Sequence, residues 1–164
     1  MFNFFQKIIS LFINISLIFF IILALLIYAP RCFGITPYSV ISGSMEPSIP
    51  VGSVVYAKPV EPSSLKIWDV IVFKEKGNDI THRIDSIDYD NKVVVTKGDA
   101  NDSCDIDPIS FAQIHDKYVT NIPCLGYLLE YFKLKEFKIY FCTFIIFLFV
   151  YSLIIFIKNN KNKT

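Results

Sequence analysis

The sequence predicts a mainly β domain carried between two transmembrane helices. Three observations lead there. Two long uncharged runs stand towards the ends of the 164-residue sequence, all 15 acidic residues lie between Glu46 and Glu136, and the stretch between the runs contains segments that alternate apolar and polar side chains. Hydrophobic residues make up 53% of the chain and charged ones only 19%, which excludes a disordered tail and an ordinary soluble domain. A net charge of +1 excludes the electrostatic footprint of a nucleic-acid binder.

The first uncharged run covers residues 8–29, rich in Ile, Leu and Phe and interrupted only by Ser10, Asn14 and Ser16 among polar residues. At about 1.5 Å per residue such a helix crosses the roughly 30 Å hydrocarbon core. Lys7 precedes it and Pro30-Arg31 closes it. A cleaved signal peptide has a shorter apolar core, about 7–15 residues, and small residues before the cut. Here Ile27 would fall at −3 and Pro30 just after the cut, so an uncleaved anchor is expected. The second run, residues 139–157, lies between Lys138 and Lys158. The basic tail 158–164, with Lys158, Lys161 and Lys163, is expected to be cytoplasmic, and so is Lys7 with the terminal amine. The domain at 31–138 is then extracytoplasmic. This predicts a two-pass protein of the cell (plasma) membrane with the lipid bilayer as its first partner.

Between the runs, 51–58 reads as a strand bounded by Pro50 and Pro59, and 70–74 as a short apolar strand. Segments 79–87 and 92–96 flank Asp88-Tyr89-Asp90-Asn91, a hairpin signal. Within the first arm Ile80, His82 and Ile84 share a face. Helical spacing begins only after Pro123, where Leu125, Leu128, Leu129, Phe132 and Phe137 predict a short helix leading into the second run. Cys32, Cys104, Cys124 and Cys142 form no C-x-x-C pair and are expected free, although Cys104 and Cys124 could pair if their Cβ atoms met. No metal site is expected.

Chemistry concentrates in three segments. Ile41-Ser42-Gly43-Ser44-Met45-Glu46-Pro47-Ser48-Ile49-Pro50 is a glycine-containing loop stiffened by prolines, able to display a hydroxyl as a nucleophile. A serine at neutral pH needs a base, for which histidine is suited. His82 lies on an expected strand face, and His115 in a polar stretch that reads as surface. A carboxylate to orient the imidazole is available four times over, from Asp99, Asp102, Asp105 and Asp107. Asp102, Asp105 and Asp107 alternate as in a calcium loop, but no late acid follows before Asp116.

The order Ser44, His82, Asp105 on an anchored outward domain resembles the type I signal peptidases, most closely the archaeal and endoplasmic-reticulum (Ser-His) branch shared by some spore-forming bacteria. Ser-Gly-Ser-Met-Glu-Pro-Ser-Ile is similar to that family's nucleophile box, Thr-His-Arg-Ile to its base box, and Lys-Gly-Asp-Ala-Asn-x-x-x-Asp to its acid box. Ile122-Pro123-Cys124-Leu125-Gly126-Tyr127 resembles the segment before the C-terminal anchor. The resemblance implies a signal-peptidase-like β fold, with Ser44 as nucleophile, His82 as general base and Asp105 as orienting acid. Asp99 would support the site or stand in as the acid, and Ser42 would contribute to an oxyanion hole. It further implies removal of signal peptides from exported preproteins after small residues at −3 and −1. No cofactor would be needed, and the secretion translocon is a possible partner. Two departures stand out: Trp68 where the family usually has glycine, and Cys124 where it usually has an aromatic. Two other functions fit the same features. One is a dedicated maturation peptidase for pilin-like or spore-coat substrates. The other is a non-catalytic membrane-anchored β module.

Overall fold

Uninterrupted Ile, Leu and Phe give helix α1 (Phe2–Tyr28), and a second apolar stretch gives α3 (Lys135–Lys161). The computed structural model describes residues 2–161, and the chain divides into two units. The helical unit holds α1 and α3. Its apolar segments Lys7–Phe33 and Lys135–Ile155 have mean hydropathies of 2.9 and 2.2 and are long and apolar enough to cross a membrane. Leu11, Phe12, Ile18 and Phe19 on α1 and Phe147 and Phe149 on α3 stand exposed. Asn14, which breaks the first run in sequence, accepts a hydrogen bond at 3.2 Å from the Ser152 hydroxyl. Phe20 meets Phe141 edge-on at 5.2 Å between ring centres. α1 begins before the expected 8 and ends at Tyr28, and α3 runs past both expected bounds of 139–157, because flanking lysines and Glu136 favour solvation without breaking a helix. The last tail residues, 162–164 with Lys163, lie outside the described residues.

The other unit, Pro30–Glu130, is built on one seven-stranded antiparallel sheet. Its strands are β1 (Thr36–Ser39), β2 (Val54–Pro59), β3 (Val70–Glu75), β4 (Asn78–Asp88), β5 (Val93–Lys97), β6 (Ile109–Ser110) and β7 (Ile114–Ile122). Their spatial order is β1-β2-β7-β3-β4-β5-β6. Alternation puts Ile71 and Phe73 of β3 on one face, in a core with Leu65, Ile84 and Val94. Val70 and Val72 go to the opposite face, with Met45, Ile49, Val55 and Ala57. β2 and β3 bury consecutive residues and so read as near-continuous apolar runs, whereas β4 and β5 alternate.

Two expectations are corrected here. The strand expected at 51–58 begins at Val54, because Gly52 turns the chain with φ of 78° and a Cβ there would sit 2.1 Å from the Tyr127 ring. Residues 113–117, read as polar surface, include the start of β7, a central strand. His115 is exposed as expected, but Asp116 is buried and accepts a hydrogen bond at 2.5 Å from the Tyr38 hydroxyl. Burial, then that carboxylate, hold the Tyr38 phenol well above the ordinary tyrosine range. The next residue, Lys117, pairs with Asp69 at 2.6 Å. Polar residues in β7 thus have built partners, and hydropathy alone cannot see them.

The short helix α2 (Leu125–Lys133) follows β7, as the leucine spacing predicts. Gly126 lets it approach the turn before β2, since a Cβ there would lie 2.3 Å from the Ser53 carbonyl oxygen. All four cysteines are exposed and unbonded.

Candidate active site

The 41–50 loop joins β1 to β2 and is pinned from below by two buried side chains, Met45 and Ile49. Backbone hydrogen bonds from Glu46 N to Gly43 O (3.0 Å) and from Ile49 N to Met45 O (2.8 Å) coil it tightly. Ser44 stands on the first of these turns. Its carbonyl oxygen accepts from Ala100 N at 2.9 Å, so the loop after β5 holds it from a second direction.

His82 is in β4, opposite Ile71 in the antiparallel register, with its ring buried and Phe73 edge-on at 6.2 Å. Its Nε2 is 3.1 Å from Ser44 Oγ, and its Nδ1 is 2.6 Å from Asp105 Oδ2. A carboxylate only accepts, so Nδ1 carries the proton and Nε2 offers its lone pair to the Ser44 hydroxyl. That is the tautomer a general base needs. Thr96, fully buried on β5, donates its hydroxyl to the same Asp105 Oδ2 at 2.6 Å, while Asp105 N donates to Thr96 O at 2.8 Å.

The four candidate acids separate by position. Asp105 meets the imidazole. Asp99 instead takes a two-pronged grip from the Arg83 guanidinium, Nε to Oδ1 at 2.8 Å and Nη2 to Oδ2 at 2.7 Å. Asp102 and Asp107 are exposed, so the alternating acids do not converge. Arg83 also donates to the Trp68 carbonyl at 3.0 Å. Trp68 itself has φ of 76°, a left-handed conformation uncommon for a bulky residue. The backbone there has the shape glycine adopts readily, and nothing in the structure explains the tryptophan that stands in its place. A cleft of about 220 Å³ opens beside this residue, lined by Ile49, Trp68, Arg83 and Tyr118 rather than by Ser44. Ser42 is exposed, two residues before Ser44.

The Arg83 hydrogen bonds hold the Asp99 carboxyl below its usual range, against an opposing effect of burial, with help from Ser48. A carboxyl depressed in the folded protein stabilises it above the unfolded value and loses that contribution as pH falls through the folded one. Asp99→Ala is therefore expected to lower stability by about 1.5–3 kcal/mol at neutral pH. The gap to wild type should narrow below the ordinary value of 3.8. Thermal unfolding of both proteins between pH 7 and 3 reads this directly.

Two contributors escaped sequence reasoning. Thr96 reads in sequence as an ordinary β-branched strand residue. Gly98 reads as part of a tight turn, yet a Cβ on it would lie 2.5 Å from Ser44 O and 3.0 Å from Ser44 Cβ. Only a glycine lets the chain pass that close to the serine.

A serine hydroxyl on an imidazole, itself held by a carboxylate, can act as an activated nucleophile for acyl transfer. The family described as "Signal peptidase, peptidase S26" matches residues 12–105, and the chain belongs to that family. Over 93 residues it is 39% identical to "Signal peptidase I W" of Bacillus subtilis (strain 168). That alignment takes in 54% of this chain and 49% of the relative, so the chain spans about half the length of the curated relative it matches.

Proposed function

We propose that the protein is a membrane-bound type I signal peptidase of the Ser-His branch, a serine endopeptidase that removes signal peptides from exported preproteins. The observation that carries this reading is the continuous contact from Ser44 Oγ through both nitrogens of His82 to Asp105, in a chain of the S26 family. The substrate's apolar segment stays in the bilayer and its cleavage region extends to the outer side. It pairs with a strand edge through main-chain hydrogen bonds, and shallow pockets admit small residues at −3 and −1. His82 takes the Ser44 proton as the hydroxyl oxygen attacks the scissile carbonyl. The tetrahedral oxyanion is held by the Ser44 N–H and the Ser42 hydroxyl. The proton passes to the leaving amine, and an acyl-enzyme remains on Ser44. Water, deprotonated by His82, releases the signal peptide's new carboxylate.

Ser44 is the nucleophile in this reading, His82 the general base and Asp105 the orienting acid. Asp99 holds Arg83 and the neighbouring loop. The anchors are α1 and α3, with both termini cytoplasmic and the 31–138 domain outside. Anchored enzyme and substrate then meet in the plane of the bilayer, where a translocon delivers the preprotein. The test is cleavage of several purified preproteins by the full chain in detergent micelles, with product masses locating the cut. One cut after a small-x-small site is expected. Cleavage confined to one pilin-like or spore-coat substrate would overturn general signal-peptide removal in favour of a dedicated peptidase.

A further inference from the structure

We propose that Thr96 is a positioning residue, whose hydroxyl fixes the Asp105 carboxylate on His82; this rests on the peptidase reading above. Asp105 lies in the loop between β5 and β6, outside any helix or strand. Its side chain is 26% exposed, so water competes for the carboxylate and the rotamer is not fixed by burial alone. Two bonds to one residue do fix it. Asp105 N donates to Thr96 O at 2.8 Å, which sets the backbone, and Thr96 Oγ1 donates to Oδ2 at 2.6 Å, which sets the rotamer. Oδ2 is also the oxygen 2.6 Å from His82 Nδ1, so hydroxyl and imidazole share a single acceptor.

Thr96 is suited to this because it has no freedom of its own. It is fully buried in β5 and paired with Ile84 of β4, the strand that carries His82 two residues earlier. Its branched Cβ restricts rotation further. A buried hydroxyl without a partner costs free energy, so the bond to Asp105 also satisfies Thr96. The carboxylate is thereby referenced to the sheet rather than to its own loop. The hydrogen bonds of Thr96 go to Asp105, and its influence on His82 runs through that carboxylate.

The test compares preprotein cleavage by the full chain in micelles for wild type, Thr96→Val, Thr96→Ser, Thr96→Ala, Asp105→Ala and the double variant Thr96→Val/Asp105→Ala. Thr96→Val keeps the shape and removes the hydroxyl. It is expected to lower kcat roughly 10- to 100-fold with KM within about twofold, while Thr96→Ser stays within about threefold of wild type. In the Asp105→Ala background the same Thr96→Val change should alter kcat less than about twofold, because the group it positions is gone. A merely structural threonine would show the full loss in both backgrounds. That result, or a Thr96→Val enzyme with wild-type kcat, overturns the proposal. Should Thr96→Val not fold, the ratio of Thr96→Ser to Thr96→Ala isolates the hydroxyl, and a ratio near one overturns it equally. Ser44→Ala is run beside them. If it cleaves as wild type does, the peptidase reading fails, whereas a dead Ser44→Ala beside a fully active Thr96→Val removes only the role of Thr96.

Discussion

Ser44→Ala and His82→Ala are each expected to lower kcat by roughly 10⁴- to 10⁶-fold, with KM changed far less. The reason lies in one distance. Ser44 Oγ is 3.1 Å from His82 Nε2, within reach of proton transfer, and neither group can do the other's work. Removing the hydroxyl leaves nothing to form the acyl-enzyme. Removing the imidazole leaves a serine whose proton stays on oxygen at neutral pH. The double variant should be little worse than either single one, because the two groups act as a unit. Ser44→Ala should unfold at the wild-type temperature, since it deletes one hydroxyl from a partly buried turn. Initial rates on a preprotein, with unfolding followed by circular dichroism, measure all of this. A single variant retaining a tenth of wild-type kcat would remove these residues from the mechanism.

Gly98→Ala is expected to be the most damaging change that leaves all three of Ser44, His82 and Asp105 in place. The added Cβ would lie 2.5 Å from Ser44 O, a backbone atom, and 2.9 Å from Asn101 Nδ2. The amide can swing away, but the carbonyl cannot move without Ser44, and Ala100 N already binds it at 2.9 Å. A shift of about 1 Å at a nucleophile can cost on the order of 100-fold. We expect kcat to fall by roughly that factor, with overpacking costing about 1–3 kcal/mol of stability. Gly43→Ala makes the comparison sharp. In the same loop as Ser44, its Cβ would meet nothing nearer than 3.6 Å, so its loss of kcat should be several times smaller. Equal losses in the two variants would refute the steric account.

That contrast also shows what the sequence could convey. The glycine beside the serine drew attention as the flexible element of the nucleophile loop, but its φ is not left-handed, and the sterically required glycine is 55 positions later. Strands β3, β4 and β5 were legible because their buried residues alternate or run together between turn formers. Most of β7 was not, since Asp116 and Lys117 look solvated until Tyr38 and Asp69 are placed opposite them. β1 was hidden by Pro37 within its four residues, and β6 by having only two. At the site, three motifs in order named Ser44, His82 and a choice of acids. Spacing could not separate Asp99 from Asp105, because the separation depends on opposite faces of β4. His82 and Arg83 are neighbours in the chain, point opposite ways, and each draws one of the two carboxylates.

The place of β7 in the sheet gives the polypeptide a timetable. β2 and β3 follow each other in the chain but do not pair; β7 inserts between them and bonds to both. The serine loop belongs to the β1–β2 side, and the histidine and both aspartates to the β3–β6 side. A ribosome that has released the chain only as far as Asp107 has supplied every group of the proposed triad but not the strand that pairs with both sides. The hydroxyl and imidazole are then 38 residues apart along a chain whose two halves have no shared strand. Under the proposed reading, pairing of the two sides waits for 114–122, and a chain released only as far as Asp107 is expected to be inert towards precursors.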